Sequence, residues 1–518
     1  MAELANTCAH CQCSVCSGIR GTVEQIFRAL EIYGWMLDAY VVDFFEDDLW
    51  QKLPSVWRSF LDQVSPEELG RWILGESENK KVWPLSLLAL RRFIQVAEIG
   101  RDHRKPSTLK CSISSTSRIV EENREENPAK KQKLEEKKPS ITAKDGQFDN
   151  LFGKHVKQKK RYEINVMSQI AANSAKKANC NCIVDIGSGM GHLARVLAYR
   201  HELSVTCVEQ NRSLLDGASP YIGLIVSTVS RKWDEQLSAS LAKHLPDFRE
   251  RKPRHVSLLV EASSEARRQL ADQLTRVFDE DEDNNDTGFG IVGLHPCGDL
   301  AASLLRLYAN EESARFICIV GCCYMKLTLS ETGAEIGYPM SRHLRAMNEN
   351  CRLSYAALEV ACHAVEKHCD KLKTNNYSDL IVHAYRAVLE CLLLEKNPSL
   401  RHTQLKNTKL KDGTSFEELT TENLEIKDRP TDADFDREEV KSRLQQWKRV
   451  LTFGSLRLLL ASLVETLVLF DRFLYLSELN LSPSLKSEFD ARVSPRNILL
   501  VSVKERTAPI GNIKWSDK

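Results

Sequence analysis

The sequence is short of net charge, of any secretion signal and of uninterrupted apolar stretches. Its 518 residues carry 72 Lys plus Arg against 71 Asp plus Glu, a formal charge of +1. A chain so nearly neutral cannot hold a polyanion with its whole surface, so any nucleic-acid contact has to come from a local patch. The N-terminus, MAELANTCAHCQCSVC, has neither a charged n-region nor an apolar h-region. The sixteen cysteines therefore read as reduced thiols of a soluble cytoplasmic or nuclear protein. The most apolar stretch, Leu456 to Leu476, is broken by Arg457, Glu465, Asp471 and Arg472. Its longest uncharged run, Leu458 to Val464, is far short of the ~20 residues a spanning helix needs. A buried amphipathic helix is expected there, and no membrane contact.

What is present is ordinary for a folded chain: 42% hydrophobic and 28% charged residues, which exclude full-length disorder and a collagen-like repeat. Residues 1–21 read as a disordered cysteine-containing tail and residues 22–100 as a helical N-terminal domain. Within the latter, Ser65 is the expected N-cap, Pro66 the first helical residue and Glu68 the partner that completes a capping box. Residues 101–146, centred on EENREENPAKKQKLEEKK, have almost no large apolar side chains and read as a disordered charged linker. From 147 to 505 short apolar runs alternate with helical patterns, with polar insertions near 279–288 and 396–437; residues 506–518 form a tail. CIVDIG, SVTCV, SLLVEA, GIVGL and FICIVG read as strands. Their alternation with helices predicts a doubly wound α/β sheet, and Ile498 to Val503 is expected to return as a late strand at the sheet edge.

The most informative segment is VDIGSGMGH, Val184 to His192, placed after the first of these strands and opening a helix. Gly187, Gly189 and Gly191 allow a tight turn and close approach of a ligand, with Asp185 and Ser188 in the same loop, and the helix start offers unpaired N–H donors. The dinucleotide pattern G-x-G-x-x-G needs glycine at 192, where the chain has His192. No Gly-Lys-Ser/Thr follows, so a phosphate-binding Walker loop is excluded as well. Glu209 ends the second strand and offers two oxygens to the hydroxyls of a ribose. Glu261 ends the third, beside the expected place of an adenine ring. Glycine loop, second-strand acid and third-strand acid in this order point to S-adenosyl-L-methionine as the cofactor.

VDIGSGMGHL, VEQN, GLHPCGDL, VGCCYMKL, GYPMS and SPRNILLV, together with DAYVVDFFEDDLW and VWPLSLLAL nearer the N-terminus, resemble the methyltransferase-like protein 25 family. The similarity is greatest to its B branch, whose members also carry the label ribosomal RNA adenine dimethylase domain-containing. The resemblance implies a class I (Rossmann-like) methyltransferase fold that uses S-adenosyl-L-methionine.

The acceptor is harder to read. Adenine-amine methyltransferases usually carry Asn-Pro-Pro-Tyr or a close variant at the end of the fourth strand, and this chain has His295, Pro296, Cys297 and Asp299. That pattern is more similar to tRNA 2′-O-methyltransferases of the Trm-thirteen type. A hydroxyl acceptor needs a general base, which either His295 or Asp299 can supply, whereas the Asp299 carboxylate can instead cap the helix that starts there. His295 also lies close enough in sequence order to count among the cofactor-binding residues. Cys297 reads either as a nucleophile or as a small wall residue. On the next turn Tyr324 is a candidate to stack on a base, with Cys322, Cys323 and Lys326 beside it. Lys154, Lys157, Lys159, Lys160 and Arg161 form a local basic patch suited to RNA or equally to a solvated helix face.

RNA is thus the expected acceptor and partner; a protein acceptor, or a catalytically silent scaffold with the same fold, are the alternatives. Cys8, Cys11, Cys13 and Cys16 supply enough thiolates for one zinc, yet their compressed spacing suits neither a ribbon nor a finger, and a disordered tail without metal is expected. His363 and His368 lack a carboxylate at ligand spacing and read as core or surface histidines.

Overall fold

In a computed structural model, the chain folds around one eight-stranded sheet. The structure describes residues 11–76, 81–105, 108–112, 152, 156–209, 232, 234–240, 242–243, 252–257, 263–279, 288–329, 337–347, 352–374, 377–404, 413–424 and 429–504. The strands are β1 (Thr108–Lys110), β2 (Cys182–Ile186), β3 (Ser204–Glu209), β4 (Arg254–Ser257), β5 (Phe289–Cys297), β6 (Ala314–Cys322), β7 (Pro483–Ser487) and β8 (Ile498–Val503). Their order across the sheet is β1-β7-β8-β6-β5-β2-β3-β4. The five strands from β6 to β4 are parallel, and β8, β7 and β1 add antiparallel. All five residues of β2 are buried, as expected of a central parallel strand covered on both faces.

The helices that matter for the site are α1 (Ser14–Tyr33), α2 (Gln158–Ala178), α3 (His192–Tyr199), α4 (Ser264–Asp279), α5 (Asp299–Asn310), α6 (Ser378–Lys396) and α7 (Trp447–Glu478). Helix α7 is the spine of the molecule. It is the one described helix long and apolar enough to cross a membrane, and 89% of its most apolar window is buried inside the fold. Its buried carboxylates are not turned to water but matched to groups around them. Glu465 accepts from Arg101 at 2.6 Å, Arg496 at 2.8 Å and the Tyr324 hydroxyl at 3.0 Å. Asp471 accepts the backbone N–H of Met340 at 2.7 Å and of Ser341 at 2.8 Å, and Glu478 those of Arg342 and His343. Asp471 and Glu478 thus satisfy N–H groups that would otherwise be orphaned in the GYPMS segment and the short helix after it.

Several sequence expectations change. Helix α1 begins at Ser14, with Cys13 as its N-cap and Cys16 fully buried, so the described part of the expected disordered tail is folded. Apolar residues of α1 and of the helix Leu85–Ala97 belong to the same continuous core as the sheet. Ser65 caps its helix by accepting from Glu68 N at 3.1 Å, but the Glu68 carboxylate reaches Lys81 at 2.7 Å rather than closing a capping box. The expected linker supplies β1, whose Cys111 N–H donates to Pro483 O at 3.0 Å; residues 113–146 lie outside the described part. Strand β8 is not at the edge: β7 and β1 extend the sheet beyond it. Neither β7 (PSLKS) nor β1 (TLK) shows an apolar run that would mark it in the sequence. The insertion after α6 forms the helices Phe416–Asn423 and Asp432–Phe435, whose Phe416 and Phe435 make a small core with Val388, Leu392 and Val440. The insertion at 280–287 and the residues from 505 lie outside the described part. His368 is half-buried, with Nε2 2.8 Å from Ser455 Oγ, and desolvation pushes its pKa down to about 4.

Candidate methyl-transfer site

In the sheet order, β3 and β4 lie on one side of β2 while β5 and β6 lie on the other. An open α/β sheet leaves a crevice at the carboxyl ends of the strands where its order reverses. Here that crevice lies between β2 and β5, paired from Ile183↔Gly290 to Asp185↔Val292. The two motifs singled out in the sequence, the glycine loop and GLHPCGDL, leave the sheet on either side of it.

Gly187, Gly189 and Gly191 all have left-handed backbones, with φ of 75°, 57° and 69°, which a side-chain-bearing residue adopts only at a cost. A Cβ on Gly191 would in addition sit 3.1 Å from His255 Cε1. Glu209, at the end of β3, folds its carboxylate back over this loop: Oε1 accepts from the Gly189 N–H, with Ser188 Oγ at 3.4 Å. Asp185 is 2% exposed, and its Oδ2 has no hydrogen-bond partner among the described residues. Burial, with the Glu209 charge adding to it, pushes the Asp185 pKa up to about 7. Beneath the loop a buried network that the sequence did not reveal holds it in place. Arg195 Nε donates to Asp234 Oδ1 at 2.5 Å, and His255 Nε2 lies 2.7 Å from Asp234 Oδ2. Nothing in the separate segments WDEQ and RHVS signals that pairing. Glu261, the expected third-strand acid, lies outside the described residues.

Across the crevice, β5 carries a one-residue bulge between Leu294 and Cys297, and His295 sits on it with φ of 68°. Bulges of this kind re-aim side chains beside sites. His295 Nε2 lies 3.2 Å from Glu163 Oε1 of α2, a carboxylate with 5% of its side chain exposed. Burial raises the Glu163 pKa, but His295 and Ser494 outweigh it and hold the carboxyl below its usual value. Glu163 also links this point to the basic patch, since Lys159 Nζ lies 3.6 Å away. Lys157, Lys159 and Lys160 are exposed on the first turn of α2 or just before it, Arg161 is half-buried, and Lys154 lies outside the described residues.

Cys297 meets two other thiols, Cys322 Sγ at 3.3 Å and Cys323 Sγ at 3.2 Å. The hydrogen bond from Cys322 pulls the Cys297 pKa down to about 5 against the effect of burial, with help from Cys323, Lys326 and His295. Cys322 is pushed up by its bond to Cys297, and Cys323 by burial. Of the three, Cys297 is the thiol most inclined to ionise.

Two expected catalytic residues are committed to the architecture. Asp299 is the first residue of α5, but the N-cap is Gly298. Its Oδ1 accepts the Thr328 N–H at 2.8 Å and its Oδ2 takes the Thr328 hydroxyl. The carboxylate thus clamps the turn that follows β6, and the N-cap reading is corrected with it. Tyr324 is 1% exposed, bonded to Glu465, with the guanidinium carbons of Arg472 at 5.8 Å and Arg496 at 5.7 Å from its ring centroid. Buried between two cations, it cannot stack on a base. Arg472 is the less expected member: it is 1% exposed and none of its guanidinium nitrogens has a hydrogen-bond partner among the described residues. A Cβ on Gly321 would overlap Arg472 Nη1, so a side chain there would have to displace the end of the arginine.

A parallel-centred sheet with a left-handed glycine loop at its point of reversal is the fold of a Rossmann-like methyltransferase. Comparison with known families agrees: residues 159–330 match a family described as a methyltransferase domain, from the first turn of α2 to just past β6. The chain is similar to the probable methyltransferase-like protein 25 of Mus musculus, 25% identical over 235 residues, and to that of Homo sapiens, 26% identical over 234 residues. Each match takes in 42% of this chain and 37% of the relative, so the chain spans little more than a third of the length of the curated relatives it matches. No solved structure matches it.

Proposed function

We propose that the chain transfers a methyl group from S-adenosyl-L-methionine to RNA inside the cell, and that it falls in the B branch of the family it resembles. The observation that carries the cofactor is the glycine loop, three left-handed glycines under an acid that ends the neighbouring strand. The open space at Gly189, where a Cβ would meet nothing within 4 Å, and the partnerless Asp185 oxygen fit a ligand seated there. Gly187, Gly189 and Gly191 would let its backbone-facing side approach, Glu209 would accept from ribose hydroxyls, and Asp185 and Ser188 would line the loop. The cofactor supplies an electrophilic methyl group on a sulfonium. Replacing Glu209 by Ala removes hydrogen bonds worth roughly 1.5–3 kcal/mol each, so affinity for S-adenosylhomocysteine in a calorimetric titration should fall at least tenfold. Unchanged affinity would overturn the site.

On the acceptor side, His295 is the group free to take a proton. Glu163 holds its imidazole, an arrangement that orients a base and steadies its protonated form. Asp299 and Tyr324, the other candidates, are engaged elsewhere. The exposed Lys157, Lys159 and Lys160, one helical turn from Glu163, are placed to neutralise phosphates, and this favours RNA over protein. His295→Ala should abolish transfer while leaving S-adenosylhomocysteine binding intact. Labelled methyl would be followed into size-separated RNA and protein from cells that lack the gene. Label in protein alone would replace the RNA reading, and label in neither would favour a silent scaffold.

A further inference from the structure

Far along the sheet from this crevice, three thiols of the N-terminal cysteine run meet a fourth from distant sequence. Cys11, Cys13 and Cys16 come from the N-terminus of α1, and Cys111 follows β1. Cys111 Sγ lies 3.6 Å from Cys11 Sγ and 3.6 Å from Cys16 Sγ, and all four sulfurs lie within 4.8 Å of one another. Cys16 and Cys111 are 0% and 1% exposed.

We propose that Cys11, Cys13, Cys16 and Cys111 form a structural zinc site that fastens α1 to the edge of the sheet. The separations decide between the ways four thiols can meet. Disulfide sulfurs are about 2.05 Å apart, which neither 3.6 Å pair approaches. A tetrahedron with Zn–S bonds of about 2.3 Å has edges of about 3.8 Å, close to what is seen. An iron–sulfur cluster spreads its four cysteines over more than one metal and needs them farther apart.

The surroundings suit an anionic centre. Four thiolates on Zn²⁺ leave two negative charges, and the N-terminus of the twenty-residue α1 points its partial positive charge at them. The Cys16 N–H donates to Cys13 Sγ at 3.4 Å, and the Arg20 guanidinium donates to Cys11 O at 3.0 Å. Hydrogen bonds of this kind around the ligands fix the geometry of metal sites. Cys111 in turn is tied by its N–H to β7. A metal here closes a loop of about a hundred residues between its first and last ligands, and joins the helical N-terminal segment to the end strand of the sheet. It is separate from the thiol trio at the crevice, whose three sulfurs belong to β5, β6 and the turn after β6.

The test is the metal content of the full chain purified without chelator. One zinc per chain is expected, lost in Cys111→Ala and in Cys16→Ala and kept in Cys391→Ser, a buried cysteine remote from the cluster. If the alanine variants fail to fold, cobalt exchanged into the unaltered protein gives an independent reading: intense sulfur-to-cobalt charge transfer with tetrahedral d–d bands is expected. Zinc retained in folded Cys111→Ala, zinc lost equally from Cys391→Ser, a folded chain that neither holds nor takes up metal, or disulfides among these four in non-reducing peptide mapping would each overturn the proposal.

Discussion

The two cysteine clusters differ in what holds them and in what they can do. Cys11, Cys13, Cys16 and Cys111 bring four sulfurs from two ends of a long loop to the edge of the sheet. The Cys16 N–H donates to one of these sulfurs, and the Arg20 guanidinium fixes the Cys11 backbone beside them. Cys297, Cys322 and Cys323 bring three from adjacent strands to the crevice. There the contacts with Cys322 and Cys323 pull the Cys297 pKa down. Shared residue type therefore says little; the number of ligands and the nearest donors decide whether sulfur serves as a staple or as a reactive group.

That contrast can be broken or sharpened, starting with the largest effect. The crevice trio stands on the Tyr324–Glu465–Arg496 network. Glu465→Ala leaves Arg101 and Arg496 buried without their shared carboxylate and should cost about 3–5 kcal/mol, read from the urea midpoint. A loss under 1 kcal/mol would mean that the trio does not depend on this floor. Next, stripping the proposed zinc should cost about 2.7 kcal/mol when free zinc stands about 100-fold above its Kd. The fall in Tm should vanish in Cys111→Ala and persist in Cys297→Ser; the reverse would exchange the roles of the clusters. Asp299→Asn keeps one acceptor for Thr328 but loses the charge, and should cost about 1.5 kcal/mol in the same urea measurement while cofactor binding holds. If methyl transfer is lost and stability unchanged, Asp299 acts in chemistry after all.

The smallest effect on stability belongs to Cys297→Ser, within about 0.5 kcal/mol, yet the thiol itself gives the clearest pH signature. With its pKa lowered to about 5, Cys297 is thiolate above that pH and thiol below it. Alkylation by iodoacetamide should be flat from pH 6 upward and fall tenfold per unit below about 5, whereas an ordinary thiol with a pKa of about 8.5 still gains rate at pH 8. Peptide mapping of labelled Cys297 measures it. A profile rising to pH 8 would show that the neighbouring thiols do not donate to it.

Much of the cofactor side was legible in the chain. VDIGSGMGH announced its glycines because left-handed turns exclude other residues, and strands β2, β3, β5, β6 and β8 announced themselves as β-branched runs. The acceptor side was not legible to the same degree. His295 and Cys297 were singled out correctly as lying at the end of β5, but the partner of each comes from another element, Glu163 in α2 and Cys322 in β6. Asp299 and Tyr324 looked catalytic by position, and only their contacts, with Thr328 and Glu465, show them clamping and filling. Cys111, 95 positions beyond Cys16, could not be matched to Cys11, Cys13 and Cys16 from the sequence.

By itself the sequence determined the alternation of strands and helices, the glycine loop and the absence of a long uncharged apolar run, because each depends on local sterics or on periodicity within one element. Tertiary structure alone decided which groups are spoken for. Glu465, Asp471 and Glu478 of α7 became anchors instead of a wet face, and β1 and β7 joined the sheet beyond β8. Likewise, four thiols met at its edge. Hydrogen bonding, burial and metal-ligand geometry act over a few ångströms in space, and the residues that satisfy one another here lie from one to nearly four hundred positions apart in the chain.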